Sequence, residues 1–203
     1  MKLHYLSKYG VETLKAWFDT MQSRHDQERQ NSQVEFCGLG PSDRARLLRA
    51  QSIEDLETEQ AVNLLVMHLL RRDWINNFAR RRFDRDPAPL LMIAGVLAAV
   101  KKDREDGKSL AWRVGKASAI GGRAPMNEIR FRRLLKEQDL EDFLMLVRRA
   151  EQLAGGNVDV VVLADDLIAW AYERELPNNV QAPVQSLCFR WAQDYYTPDY
   201  NQI

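Results

Sequence analysis

Cysteine is nearly missing from this chain of 203 residues: Cys37 and Cys188 stand far apart and neither has a CxxC partner. That excludes a paired-thiol redox motif and a cysteine zinc site, and it suits a reducing, cytoplasmic setting. Histidine is also scarce, with three in all. His25-Asp26 has the composition of a phosphohydrolase metal pair, but His4, His25 and His68 fall in separate segments and form no i, i+4 ligand pair on a helix, so no metal is expected. The longest apolar stretch, Ala88 to Val100, is shorter than the roughly 20 residues that a membrane helix needs, and it reads as a buried helix. No apolar run with a small-residue cleavage site follows Met1 to Tyr5, so no secretory signal is expected. GxSxG, Walker and GxGxxG patterns are absent, and Gly38-Leu39-Gly40 is an isolated glycine pair in a loop. The chain is therefore expected to be no enzyme and to use no cofactor.

With 45% hydrophobic and 29% charged residues, the composition is that of an ordinary folded domain and not of a disordered chain. The formal net charge is zero, which taken alone weakens a polyanion-binding reading. The zero conceals segregation. Residues 1–70 carry a net −2, residues 71–149 a net +8 and residues 150–203 a net −6. Between Lys108 and Lys136 stand eight basic residues and one acid, Glu128. A basic stretch of this density is the electrostatic footprint of a nucleic-acid partner.

Helical periodicity and capping signals recur along the chain, and the expected fold class is all-α, a helical bundle protein in two lobes. Val11, Leu14, Trp17, Phe18 and Met21 make the apolar face of a first helix. A polar loop rich in Gln, Asn and Ser is expected near residues 23–41. Ser42 and Ser52 are N-cap candidates, the second with Asp55 in an approximate capping box. A helix or helix pair over Glu59 to Phe83 precedes Asp86-Pro87-Ala88-Pro89, where proline ends one element and opens the apolar helix Leu90 to Val100. Lys101 to Lys108 reads as a charged turn, Ser109 caps Leu110 to Ala117, and Gly121-Gly122 breaks the chain. Pro125 opens Met126 to Lys136, Asp139 caps Leu140 to Leu153, and Gly155-Gly156 closes that helix. Val158 to Val162 is β-branched, but with no visible partner strand it is assigned to a helix running to Glu173, with a last helix from Val184 to Tyr195. The expected division is an N-terminal helical lobe over 1–120 and a C-terminal bundle over 121–203.

On the helix after Pro125, the residues Ile129, Phe131, Leu134 and Leu135 are expected to turn inward. Arg130 and Arg133 then stand three apart on one side, with Arg132 and Lys136 four apart on another. Stacked like charges cost a little in the free chain, and a polyanion that neutralises them recovers that cost and releases counterions. Charge density alone nominates Arg113, Lys116, Arg123 and Arg133 as phosphate ligands. Arg71-Arg72 and Arg80-Arg81-Arg82 are interspersed with Asp73, Asp84 and Asp86, which predicts ion pairs instead. Asp165 and Asp166 are adjacent on a helix and should diverge, one toward solvent and the other toward an arginine.

Several segments occur in an order that resembles the CasB family, the small subunit of the type I-E CRISPR effector complex Cascade. They are Leu14 to Trp17, Arg44-Ala45-Arg46-Leu47-Leu48-Arg49-Ala50, Asn127 to Leu135, Val147-Arg148-Arg149, Asp166 to Trp170 and Trp191 to Tyr196. The likeness spans most of the chain. Leu48 departs from it, standing where the family's basic stretch has a second arginine, and so does the loop near 23–41. The resemblance implies two helical lobes, two copies along the complex, and basic residues that steady guide RNA, target DNA and displaced strand without reading sequence. By motif position it nominates Arg49, Arg130, Lys136, Arg148 and Arg149 as nucleic-acid-binding, and Arg85 near Pro87 is added to them. The expected partners are the other Cascade subunits, guide RNA, target DNA and a second copy of the chain, with no membrane. A structural adaptor whose arginines meet acidic protein surfaces is the competing expectation. A helix-turn-helix regulator with a base-reading helix is a third.

Overall fold

The computed structural model describes residues 3–22, 36, 38–71, 74–116, 122–174 and 186–197. Among them the chain is almost wholly helical, in the order α1 (Lys8–Gln22), α2 (Pro41–Arg49), α3 (Ile53–Glu57), α4 (Gln60–Leu70), α5 (Asn77–Phe83), α6 (Ala88–Leu97), β1 (Lys102–Asp103), α7 (Leu110–Gly115), α8 (Glu128–Lys136), α9 (Leu140–Leu153), β2 (Asn157–Val158), α10 (Val160–Glu173) and α11 (Leu187–Tyr196). The all-α expectation holds. Most of the loop near 23–41, the His25-Asp26 pair and Gly121 of the expected lobe boundary lie outside the described residues.

Local chemistry sets the helix ends. Ser52 accepts the Asp55 N–H, Ser109 accepts that of Trp112, and the Asp139 carboxylate accepts those of Glu141 and Asp142, so these three caps form as read from the sequence. α9 closes in a Schellman turn, with the Gly155 N–H on Gln152 O at 3.0 Å and the Gly156 N–H on Glu151 O at 2.8 Å. Both glycines sit at positive φ, 76° and 74°. α8 starts later than Pro125 suggests, because the Asn127 side chain accepts the Arg130 N–H at 2.9 Å and closes the first turn in the way proline cannot.

Two assignments are overturned. The N-cap of α2 is Gly40, and Ser42 lies inside the helix; Val158, expected to begin a helix, lies with Asn157 in a strand paired in parallel with Lys102–Asp103. Its partner lies in the segment read as a charged turn, and a ladder of two residues leaves no alternating pattern to detect. Asp159 then caps α10 by accepting the Val162 N–H at 3.0 Å.

The core centres on α6 and α10, which pack against each other. Residues 89–97 of α6 and 160–171 of α10 are buried on every side, the pattern of helices enclosed by others. α3, α4 and α9 surround α6, while α7 packs on α11 and α8 on α9. Trp17, Phe83, Phe131, Phe143 and Trp191 are fully buried, and a side chain of that size contributes about 1.5–3 kcal/mol by leaving water. The α7–α11 crossing is close because residue 115 is glycine: a Cβ there would stand 2.4 Å from Tyr195 O.

Candidate nucleic-acid interface

The arginines divide by what their guanidinium groups touch, and one set holds the fold together. Past Gly95, α6 tightens into i to i+3 turns, Ala99 N–H on Val96 O and Val100 N–H on Leu97 O, so Gly95 O loses its usual donor. Arginines from two other helices meet the carbonyls at this end. Arg44 of α2 donates Nε to Ala98 O and Nη2 to Val100 O, both at 2.9 Å. Arg148 of α9 donates to Gly95 O from Nε at 3.1 Å and Nη2 at 2.8 Å, to Leu47 O at 2.8 Å and to Ala50 O at 2.6 Å. It thereby ties α9, α6 and the C-terminal end of α2 into one joint.

Arg148 is only 8% exposed, and burial lowers its pKa from the ordinary arginine value. Arg148, nominated as a phosphate ligand, thus turns its guanidinium inward onto three backbone carbonyls. One turn on, Glu151 is 1% exposed with both carboxylate oxygens unpartnered. Burial pushes its pKa well above the usual carboxylate range, against the opposing pull of Arg148.

Other basic groups are committed to acids. Arg46 pairs with Asp43 and with Glu59. Arg80 and Arg82 pair with Asp84 and Asp86 at 3.9 and 3.1 Å, as the interspersed acids predicted. Arg113, nominated by charge density, pairs with Asp106 and its side chain is 12% exposed. Asp165 and Asp166 are both buried. Asp166 has its expected arginine, Arg190 at 3.2 Å, and accepts the Trp191 Nε1–H at 2.8 Å. Asp165 does not face solvent: it accepts the backbone N–H groups of His4, Tyr5 and Leu6, each at 2.8 Å, and so docks the N-terminal segment on α10.

The second set faces outward. On α8, Phe131 and Leu134 are buried and Leu135 is half-buried, while Arg130, Arg133 and Lys136 are exposed, with no ion pair among the described residues. Ile129, expected to turn inward, is 81% exposed. At about 100° per residue it falls nearly opposite Phe131 and between Arg133 and Lys136, so it sits in the middle of the basic face. Arg132 belongs to the α11 contact instead, pairing with Glu128, which also accepts the Tyr196 Oη–H at 3.0 Å. Arg49 is exposed in the last turn of α2, where its Nε reaches only Ala45 O of its own helix, and Arg149 is exposed beside Arg148. Because Arg148 grips Leu47 and Ala50, Arg49 and Arg149 flank the same α2–α9 joint. Arg85, Lys116 and Arg123 are exposed in the turn after α5, at the end of α7 and ahead of α8. Sequence reasoning misplaces Ile129, which a helical wheel anchored on Phe131 puts at the centre of the face, and passes over Trp112, which the four-residue spacing from Lys108 and Lys116 marks.

The family model of the CRISPR-associated protein Cse2 matches residues 43–196. The chain belongs to the Cse2 family. The match runs from α2 to the last residue of α11, so it takes in the α8 face and the Arg148 joint and leaves α1 outside. Membership bears out the CasB resemblance and makes this Cse2 chain a CRISPR Cascade subunit. Neither a curated protein nor a solved structure matched it. Among the described residues of the Cse2 chain, no helix is long and apolar enough to cross a membrane.

Proposed function

We propose that this Cse2 chain is a non-catalytic, cytoplasmic subunit of type I-E Cascade that binds nucleic-acid backbone without reading sequence, and so steadies the guide RNA–target DNA assembly and the displaced strand. The observation that carries the reading is the α8 face, where Arg130, Arg133 and Lys136 are exposed while most other arginines of the described fold have carboxylate or carbonyl partners. Unpaired cations on a rigid helix can exchange their counterions for phosphates at no cost to an internal ion pair. Arg49 and Arg149 at the α2–α9 joint extend that surface, with Arg85, Lys116 and Arg123 on connecting segments. In RNA-guided recognition, base pairing reads the target, so sequence-blind contacts of this kind suffice.

Ile129 favours a second reading, an adaptor that docks on protein. An exposed isoleucine amid arginines gives a phosphate nothing but can anchor a protein interface. A tagged chain recovered from its native host, with and without nuclease, separates the two. The backbone-binding reading expects guide RNA and the other Cascade subunits together, with subunit recovery reduced by nuclease. Recovery of acidic protein partners that is indifferent to nuclease, with no RNA, would support the adaptor.

A further inference from the structure

A cavity of about 400 Å³ lies between the start of α7 and the α10–α11 pair, bounded by Lys108, Trp112, Asp166, Arg190, Gln193 and Asp194. Its size is within the range of roughly 300–1,000 Å³ typical of small-ligand sites. Trp112 forms part of its wall. Unlike Trp17 and Trp191, which are sealed in the core, Trp112 is only half-buried. Its position is fixed from two sides: Ser109 Oγ accepts the Trp112 backbone N–H at 3.1 Å and donates to Asp194 of α11, which latches the start of α7 to that helix. Two lysines spaced four residues either side bring their ammonium groups to the indole, Lys108 at 5.2 Å and Lys116 at 4.5 Å from the ring centre. Arg113 is nearby as well, at 6.0 Å, but Asp106 holds it.

We infer that this cavity receives one unpaired nucleobase stacked on Trp112, with Lys108 and Lys116 on its flanking phosphates. The inference rests on the backbone-binding reading and adds a base contact to it. A fixed aromatic ring with flanking cations is the combination that binds single strands without sequence preference, because every base has a π-face. Each of the four bases also carries an N–H donor on its pairing edge, which is free only when the base is unpaired. Asp166 can accept from that edge, since each of its oxygens, bonded to Arg190 or Trp191, keeps further lone-pair capacity. The two lysines repel each other across the ring, and a phosphate between them relieves that repulsion.

The test uses the purified chain at low ionic strength with three probes of about ten nucleotides: oligothymidylate, oligouridylate and an abasic strand of the same length. The expected result is binding of at least one base-bearing strand about fivefold or more tighter than the abasic strand. Trp112→Leu should abolish that difference and Trp112→Phe should restore part of it. The thymidylate and uridylate arms tell whether DNA or RNA supplies the base. Photocross-linking of bromodeoxyuridine or bromouridine strands to the wild-type chain needs no variant, and it should map to Trp112. Equal affinity for base-bearing and abasic strands, or a cross-link elsewhere, overturns the base contact and leaves the backbone reading standing. Absence of binding to all three strands would overturn both.

Discussion

Replacing Arg148 by methionine keeps most of the side-chain volume in the α2–α6–α9 joint but removes every donor. Gly95 O, Leu47 O and Ala50 O then lose their charged partner together, and Glu151 loses the pull of the Arg148 cation. A buried acceptor left unsatisfied costs about 1–3 kcal/mol, and three are left here while the guanidinium's own burial penalty is relieved. Taking the lower part of that sum, Arg148→Met should destabilise the chain by about 3–5 kcal/mol. At about 2–4 °C per kcal/mol for a chain of this size, the melting temperature falls by about 6–20 °C. Circular dichroism melts and urea unfolding read this directly, with Arg149→Met as the neighbouring control, expected within about 0.5 kcal/mol of wild type. An Arg148→Met chain that melts with wild type while its complex loses nucleic acid would refute the reasoning, because the guanidinium would then act at a surface.

Asp166 gives a pH signature. Burial raises its pKa from 3.8 to about 7, against the pull of Arg190 and Trp191. The folded chain thus holds this proton more tightly than the unfolded one, so the contribution is complete below 3.8, declines as pH rises and is gone above about 7. Wild type should lose stability relative to Asp166→Asn as pH climbs through that window, measured as the difference in melting temperature at each pH; a constant difference would contradict the burial argument. Gly115→Ala places a methyl group against the Tyr195 backbone, so the α7–α11 contact must open, at a cost of about 1–3 kcal/mol. Urea titration measures that cost, and an unchanged midpoint would mean that the helices sit farther apart. Trp112→Leu should lower affinity for base-bearing strands and leave abasic affinity unchanged, as read in the binding assay described for the α7 cavity.

Much of the helical layout is visible in the sequence because it is written in short-range chemistry. Ser52, Ser109 and Asp139 announce helix starts by a side chain one turn from the N–H it accepts, and Gly155-Gly156 announces an end that needs positive φ. What escapes is whatever depends on a distant partner. Val158 pairs with Asp103, and Asp165 binds the backbone of residues 4–6, across separations with no periodic trace. The charge segregation nominates Arg130, Arg133 and Lys136, and the fold leaves all three exposed. It does not separate Arg148 from Arg149, two adjacent arginines of which the first points into the core and the second to solvent. Only the packing of α9 against α6 decides which is which. Ile129 is a different lapse, legible from helical spacing once Phe131 is taken as the buried anchor.

The most direct measurement is the salt dependence of target-DNA retention by the assembled complex, wild type against Arg130→Glu/Arg133→Glu/Lys136→Glu. Each phosphate contact contributes about 0.7–0.9 to the slope of log affinity against log salt, so losing three should make the slope shallower by about 2–3, with the two curves converging at high salt. Complex composition, read from the same samples, should be unchanged. Parallel curves, or a variant subunit missing from an otherwise intact complex, would contradict the account and place the α8 face on protein.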